Sequence, residues 1–148
     1  MIVYPNSNYD SWISVADAEA YLATRLRIDE WDALASDAEK EVALQTAFRS
    51  INGLDLSVTF DDAGVISTTA YTDTEQAKIL TALELAQAEQ SLHELQFDID
   101  NQGVKSVSLG GMLSFTLNPG EEKPLRYSER ALATLRPYLR ARTLSRFR

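Results

Sequence analysis

Residues 73–97 read DTEQAKILTALELAQAEQSLHELQF, and this stretch decides the fold. It contains no Gly or Pro and is rich in strong helix formers, so we predict one long helix that opens near Asp73 or Thr74 and runs to about Phe97. Its apolar side chains move from one helix face to another, which is typical of a helix with neighbours on both sides. The early face carries Ile79, Leu83 and Ala86, and the later face carries Leu85, Ala88, Leu92 and Leu95.

Capping signals predict two helices before this one. Ser14 precedes Asp17 by three residues, and Ser36 precedes Glu39 by three, which is the spacing at which a serine side chain caps a helix start. Apolar residues at helical spacing follow both serines, and Asn52-Gly53 supplies a stop signal for the second pattern. We therefore expect helices that begin just after Ser14 and just after Ser36.

A last helix is predicted near the carboxy terminus. It begins near Ser128, because Leu132, Leu135 and Leu139 follow at spacings of three and four residues. Pro137 lies inside this pattern. It should kink or split the helix, since proline lacks a backbone donor and clashes with the preceding turn.

Two segments lack the helical period. Residues 54–71 contain Asp61-Asp62 and Gly64 between short Thr- and Val-containing runs, which predicts a loop or weak hairpin. Residues 104–117 alternate apolar and polar side chains around Gly110-Gly111, a pair that can adopt the positive φ angles of a two-residue hairpin turn. We therefore predict a β-hairpin over 104–117 with its turn at Gly110 and Gly111.

The 148 residues are enough for one ordinary domain with a core of its own. We expect a mainly α fold: a helical bundle over residues 1–139 with a small β-hairpin near 104–117, followed by a flexible basic tail over 140–148. No positive amino-terminal region precedes an apolar run, and no stretch is apolar enough to span a membrane. We therefore expect no membrane contact and a cytoplasmic location in the host cell.

The charges are distributed unevenly along the chain. Residues 1–122 carry 6 Lys or Arg and 21 Asp or Glu, whereas residues 123–148 carry 8 basic residues and only Glu129 as an acidic one. A basic tail on an acidic body indicates an acidic partner, either nucleic acid or an acidic protein surface. Self-complementarity is an equal alternative, in which the tail of one copy rests on the acidic body of the next.

The sequence offers little chemistry. Cysteine is absent, which excludes thiolate catalysis and cysteine-ligated metal sites, and His93 is the single histidine. Asp98 and Asp100 resemble the start of a calcium loop, but the twelfth residue counted from Asp98 is Leu109 instead of glutamate. Nucleophile elbows and phosphate-binding glycine motifs do not occur. We expect no catalytic residue, metal or cofactor, and hence no enzyme.

The aromatic side chains Trp12, Tyr21, Trp31 and Phe48 could in principle stack on bases of single-stranded nucleic acid. Acidic residues surround them in the sequence, and an acidic environment repels phosphate. We therefore favour packing in the core or at an interface.

The arginine-rich tail is the strongest functional feature. Arginine beside apolar and aromatic side chains is the composition of protein interfaces, although arginine also neutralises phosphate. A protein partner is favoured over DNA and over a bare solvated tail. The candidate partner-binding residues, for a neighbouring subunit or another protein, are Arg136, Tyr138, Arg140, Arg142, Leu144, Arg146, Phe147 and Arg148.

Several motifs occur in an order found in one known family. They are SWISVADAEAY at 11–21, Arg25, Trp31, KEVALQTA at 40–47, GVKSVSLG at 103–110 and LRPYL at 135–139. In this order the chain resembles the head-to-tail connector, or head-completion, proteins of tailed bacteriophages, a family that also goes under the description of DnaT-like single-stranded-DNA-binding proteins. The segment 54–71 departs from the pattern, because members often carry a tryptophan-proline segment there.

The resemblance implies a structural adaptor protein that assembles as a ring, commonly of twelve subunits, in the virion neck. Its partners would be the portal protein and a tail, stopper or terminator protein, and genomic DNA would pass through the lumen without sequence-specific contacts. The resemblance also implies that the carboxy-terminal helix and tail dock on the portal. The alternative function is that of a single-stranded-DNA-binding accessory protein in replication.

Overall fold

A computed structural model describes residues 1–96 and 126–140. Within these ranges the chain is mainly helical, as predicted, and its β structure is limited to isolated bridges without a sheet. The predicted β-hairpin at 104–117 and the tail beyond Arg140 lie outside the described residues. The helices are α1 (Val15–Leu22), α2 (Asp29–Asp32), α3 (Asp37–Asn52), α4 (Asp73–Gln96), α5 (Glu129–Leu135) and a 3-10 turn (Arg136–Tyr138).

Serine caps begin three of the helices where the sequence predicted them. The Ser14 side chain accepts a hydrogen bond from the Asp17 amide at 3.1 Å, and Ser36 accepts one from the Glu39 amide at 3.4 Å. Ser128 caps α5 in the same way. Each cap satisfies one of the amides that a helix start leaves without an intrahelical partner.

The long helix α4 begins with a reciprocal cap at Thr72. The Thr72 amide donates to the Glu75 carboxylate at 2.8 Å, while the Glu75 amide donates to the Thr72 hydroxyl at 3.4 Å. Hydrogen bonds from the Thr72 backbone and then from its hydroxyl lower the pKa of Glu75. Both partners lie within four residues, so this helix start is encoded locally.

Two hydrophobic core clusters share α4. Its earlier residues Ile79, Leu83 and Ala86 belong to the first core cluster, and its later residues Ala88 and Leu92 belong to the second. The predicted change of apolar face is therefore confirmed for these residues, and Leu95 packs against the second cluster, whereas Leu85 belongs to neither cluster. The first core cluster also contains Trp12, Ile51, Leu54, Val58, Ile66, Ala131, Leu135 and Leu139, and the second also contains Ile13, Ala18, Leu22, Trp31 and Leu44.

Buried polar side chains of α4 lie between Ala86 of the first cluster and Leu92 of the second. We call Gln87, Glu89, Gln90 and Ser91 the polar layer, and all four are buried. The Gln87 side-chain oxygen accepts from the Trp12 amide, and its nitrogen donates to the Ser11 hydroxyl and the Leu44 carbonyl, each at 2.8 Å. This one side chain thus ties α4 to α3 and to the amino-terminal segment.

Two tyrosine hydroxyls tie the loop between α3 and α4 to the amino-terminal segment. Phe60 and Ile66 form one isolated antiparallel bridge within residues 54–71. The predicted loop or weak hairpin is therefore a loop with a single internal bridge. The Tyr9 hydroxyl donates to the Gly64 carbonyl at 2.8 Å, and the Ile66 amide donates to the Tyr4 hydroxyl at 3.1 Å. Among the described helices, none is long and apolar enough to cross a membrane.

Candidate partner-binding site

The carboxy-terminal segment is fixed to α4 before it reaches the predicted partner-binding residues. The Gln90 side-chain oxygen accepts from the Ser128 amide at 2.9 Å, and its nitrogen donates to the Arg126 carbonyl at 3.2 Å. Ala131 and Leu135 of α5 are fully buried in the first core cluster. The polar layer therefore sets where α5 begins, and apolar packing sets its orientation.

Pro137 ends α5 in the way that the sequence predicted. Helix α5 stops at Leu135, and the chain continues as a 3-10 turn that contains Pro137 near its start. A proline there removes a donor that the first turn does not need. As a result Arg136 is exposed, while Tyr138 is half-buried and packs against the first core cluster.

The segment after the turn pairs with the start of the loop at 54–71. Leu139 forms an antiparallel bridge with Leu56 and is only 7% exposed. The Ser57 amide donates to the Tyr138 carbonyl at 2.7 Å, and the Arg140 amide donates to the Asp55 carbonyl at 3.1 Å. Leu139 is therefore an anchor that fixes the position of the neighbouring backbone up to Arg140.

The ion pair between Arg140 and Asp55 is weak. The Arg140 guanidinium lies 3.5 Å from the Asp55 carboxylate, and both side chains are largely exposed. An exposed pair of this kind contributes at most about 1 kcal/mol, because water screens it and both side chains lose freedom. Arg140 can therefore exchange Asp55 for a carboxylate of another protein at little cost.

The structure brings together three of the predicted partner-binding residues. Arg136, Tyr138 and Arg140 follow one another across the 3-10 turn and the bridge. The remaining predicted residues lie outside the described ranges, as do the predicted hairpin-turn glycines. They are Arg142, Leu144, Arg146, Phe147, Arg148, Gly110 and Gly111.

The aromatic residues are placed as the acidic surroundings predicted. Trp12 and Trp31 are each 1% exposed and belong to the first and second core clusters respectively. Phe48 packs against the first cluster, with its ring centroid 4.5 Å from that of Trp12. Because the two tryptophan rings are inaccessible, they cannot stack on bases in this conformation.

A buried carboxylate forms a network that the sequence did not reveal. The Glu89 carboxylate accepts from the Tyr21 hydroxyl at 2.5 Å and lies 2.9 Å from the Arg25 guanidinium. Burial, and then the hydrogen bond to Glu89, raise the pKa of Tyr21 to about 12. The tyrosine therefore keeps its proton near neutral pH, and the network connects α1 and the residues after it to α4.

His93 lies half-buried in the last turn of α4, beside the end of the described segment. Within residues 1–96 and 126–140, no group of three or more His, Asp or Glu side chains could hold a metal ion. The calcium-like residues Asp98 and Asp100 lie outside these ranges. A comparison with family models, with curated proteins and with solved structures found no match to this chain.

Proposed function

We propose that this chain is a structural subunit of the head-to-tail connector of a tailed bacteriophage. In this proposal identical copies form a ring, of twelve subunits, in the virion neck between the portal and a tail, stopper or terminator protein. The ring assembles in the host cytoplasm and lets genomic DNA pass without sequence-specific contacts. The ordered motifs from residue 11 to residue 139 support this family over other helical proteins.

One observation carries the proposal: Leu139, the residue just before the basic tail, is anchored to the acidic helical body. Leu139 is held by its bridge to Leu56, Arg140 makes an exposed ion pair, and the other arginines of the tail follow in the sequence. This arrangement suits a segment that reaches out to another protein while the body keeps its shape. The partner of the tail is then the portal or a neighbouring subunit.

The acidic body supports passage of DNA. Residues 1–122 carry 21 acidic and 6 basic side chains, and a surface of that charge holds no phosphate tightly. We propose that acidic residues line the lumen. A ring structure whose bore is lined chiefly by arginine would contradict this part of the proposal.

Electron microscopy of the purified protein tests the function most directly. Images would be recorded for the protein alone and after mixing with the portal protein of the same phage. We expect rings with a central channel, in the first sample or stacked on the portal in the second. Particles that remain monomeric in both samples would count against a connector.

The alternative, a single-stranded-DNA-binding accessory protein, makes a different prediction. It requires tight binding to single-stranded DNA that falls steeply with salt and is lost when Arg142, Arg146 and Arg148 are replaced by glutamine. The connector requires only weak binding of that kind. A salt series by fluorescence anisotropy, with the full chain and with this variant, separates the two functions.

A further inference from the structure

An open apolar groove of about 570 Å³ lies between α3 and α4, next to the second core cluster. Leu34, Val42, Ala43 and Leu95 supply much of its apolar wall. Val42 is 61% exposed, although removing an aliphatic side chain from water is energetically favourable. The groove therefore offers an apolar surface that a partner can bury.

The described lining of the groove also carries two carboxylates and no cation. Glu39 and Glu94 both line it. One oxygen of Glu94 accepts from the Ser50 hydroxyl at 2.6 Å and from the Gln90 amide at 2.8 Å. Its other oxygen is buried and accepts no hydrogen bond from the described residues. Such an oxygen is costly to bury, and a cationic donor would satisfy it well.

We propose that residues 140–148 of a second copy of this chain bind in the groove. The tail has the complementary composition, because Arg140, Arg142, Arg146 and Arg148 alternate with the apolar Leu144 and Phe147. The apolar side chains bury Val42 and its neighbours, and an arginine donates to Glu94. This inference rests on the proposed ring and names which of the two candidate partners the tail meets there.

The position of the groove favours a second copy over the tail of the same chain. Arg140 lies beside Asp55, beyond the end of α3, and Leu139 belongs to the first core cluster together with Ile79 and Leu83 of α4. Val42 already lies about 15 Å along the helix axis from Asn52, at about 1.5 Å per residue. Leu144 reaches only about 14 Å from Arg140, since four extended residues span no more. Leu144 therefore falls short of Val42 in its own chain, and a head-to-tail contact with a second copy removes this limit.

Disulfide cross-linking between single-cysteine variants tests the proposal, because the natural chain contains no cysteine. The full-length Val42→Cys chain would be mixed with a full-length Leu144→Cys chain that carries a mass label, so that the mixed dimer can be distinguished from the two homodimers. The mixture would then be allowed to oxidise. We expect the mixed disulfide dimer to form at least about tenfold faster than with Leu26→Cys in place of Val42→Cys. Leu26 is a matched control, because it is an exposed apolar residue, 90% accessible, that does not line the groove.

A second substitution tests the role of charge. Glu94→Gln, made in the Val42→Cys chain, keeps the shape of the side chain and removes its charge. We expect it to slow cross-linking severalfold at low salt, and added salt should slow the unmodified pair in the same way. Circular dichroism of each variant would verify that the fold is intact.

The outcomes separate this inference from the proposed function. Rings on electron micrographs without preferential Val42–Leu144 cross-linking would overturn the inference and leave the connector standing. Cross-linking without rings, alone or with the portal, would support the groove contact and count against the connector. A cross-link that forms only within one chain, when both cysteines are placed in it at high dilution, would assign the groove to the chain's own tail and overturn the second-copy proposal.

Discussion

At the scale of single residues, Gln87 connects α4 both to α3 and to the amino-terminal segment. Its side chain makes three buried hydrogen bonds, to Ser11, Trp12 and Leu44. Helical periodicity cannot identify such a residue, because a glutamine in an exposed position gives the same local pattern. Its partners lie 43 to 76 residues away in the sequence.

We predict that Gln87→Leu lowers the free energy of unfolding by about 2–4 kcal/mol. The substitution removes three buried hydrogen bonds, while the Ser11 hydroxyl keeps its bonds to Ile13. Leaving the Trp12 amide without its partner costs about 1–3 kcal/mol, and each of the other two bonds contributes about 0.5–1.5 kcal/mol, partly relieved by local rearrangement. Urea denaturation followed by circular dichroism measures the change. Gln96→Leu is the control, because Gln96 is exposed on the same helix, and it should change stability by less than about 1 kcal/mol. Equal effects of the two substitutions would contradict a structural role for Gln87.

Tyr21 predicts a dependence of stability on alkaline pH. Its pKa is raised to about 12 in the folded protein, whereas an unfolded tyrosine titrates near 10. Below pH 10 both states keep the proton, so the contribution is fully present there. Between about pH 10 and 12 only the unfolded state releases the proton, and stability is lost.

A comparison of wild type with Tyr21→Phe measures this effect. Unfolding midpoints in urea would be followed from pH 8 to 11.5, and we expect the wild type to lose stability more steeply above pH 10. The remaining tyrosines and lysines titrate in both proteins and therefore cancel in the difference. Parallel curves for the two proteins would show that the Tyr21 hydroxyl does not retain its proton through Glu89.

At the scale of elements, α5 depends on its cap because it has only seven residues. Helices of that length are not stable alone in water, so the cap and the apolar packing together hold it. We predict that Ser128→Ala costs about 1 kcal/mol and speeds hydrogen exchange of the α5 amides. Thr134→Ala in the same helix is the control, since its hydroxyl only donates back to the Arg130 carbonyl. Unchanged exchange in Ser128→Ala would assign the stability of α5 to packing alone.

The elements also show what sequence reasoning could and could not reach. The caps at Ser14 and Ser36, the helix start near Ser128 and the interruption at Pro137 were predicted, because each depends on residues close by in the sequence. The four-residue helix α2, which positions Trp31, was missed because it has no side-chain cap and too few residues for a periodic pattern.

Three of the predicted partner-binding residues lie in the described part of the chain, and their role stays a prediction. Arg136, Tyr138 and Arg140 could be selected from composition, because exposed arginine beside an aromatic residue is a local signal. The anchor at Leu139 and Leu56 could not, since it joins residues 83 positions apart. The leucine spacing predicted that Leu139 lies in the last helix, but its backbone is extended and follows a 3-10 turn.

At the scale of the whole molecule, both core clusters contain residues of α4, and we therefore predict that they unfold together. We expect Leu83→Ala, in the first core cluster, and Leu92→Ala, in the second, each to cost about 2–5 kcal/mol. Each should lower one common transition, because loss of either cluster exposes a face of the same helix.

The two tryptophans allow each cluster to be observed separately. Trp12→Phe leaves Trp31 as the reporter of the second cluster, and Trp31→Phe leaves Trp12 as the reporter of the first. Within each single-tryptophan protein, the urea midpoint from fluorescence should agree with that from circular dichroism. Fluorescence midpoints that depart from those of circular dichroism would show that the clusters unfold separately and would contradict the prediction.

The polar layer of α4 has a consequence for the proposed ring. A helix that packed through apolar side chains alone could rotate slightly about its axis at little cost, because dispersion contacts have no preferred direction. Gln87 and Gln90 allow one rotational setting, since their hydrogen bonds reach α3, the amino-terminal segment and α5 from fixed directions. In a closed ring any angular error within a subunit is repeated at every interface and adds up around the circle. The two glutamines would thus help to fix the angle between successive subunits of the ring.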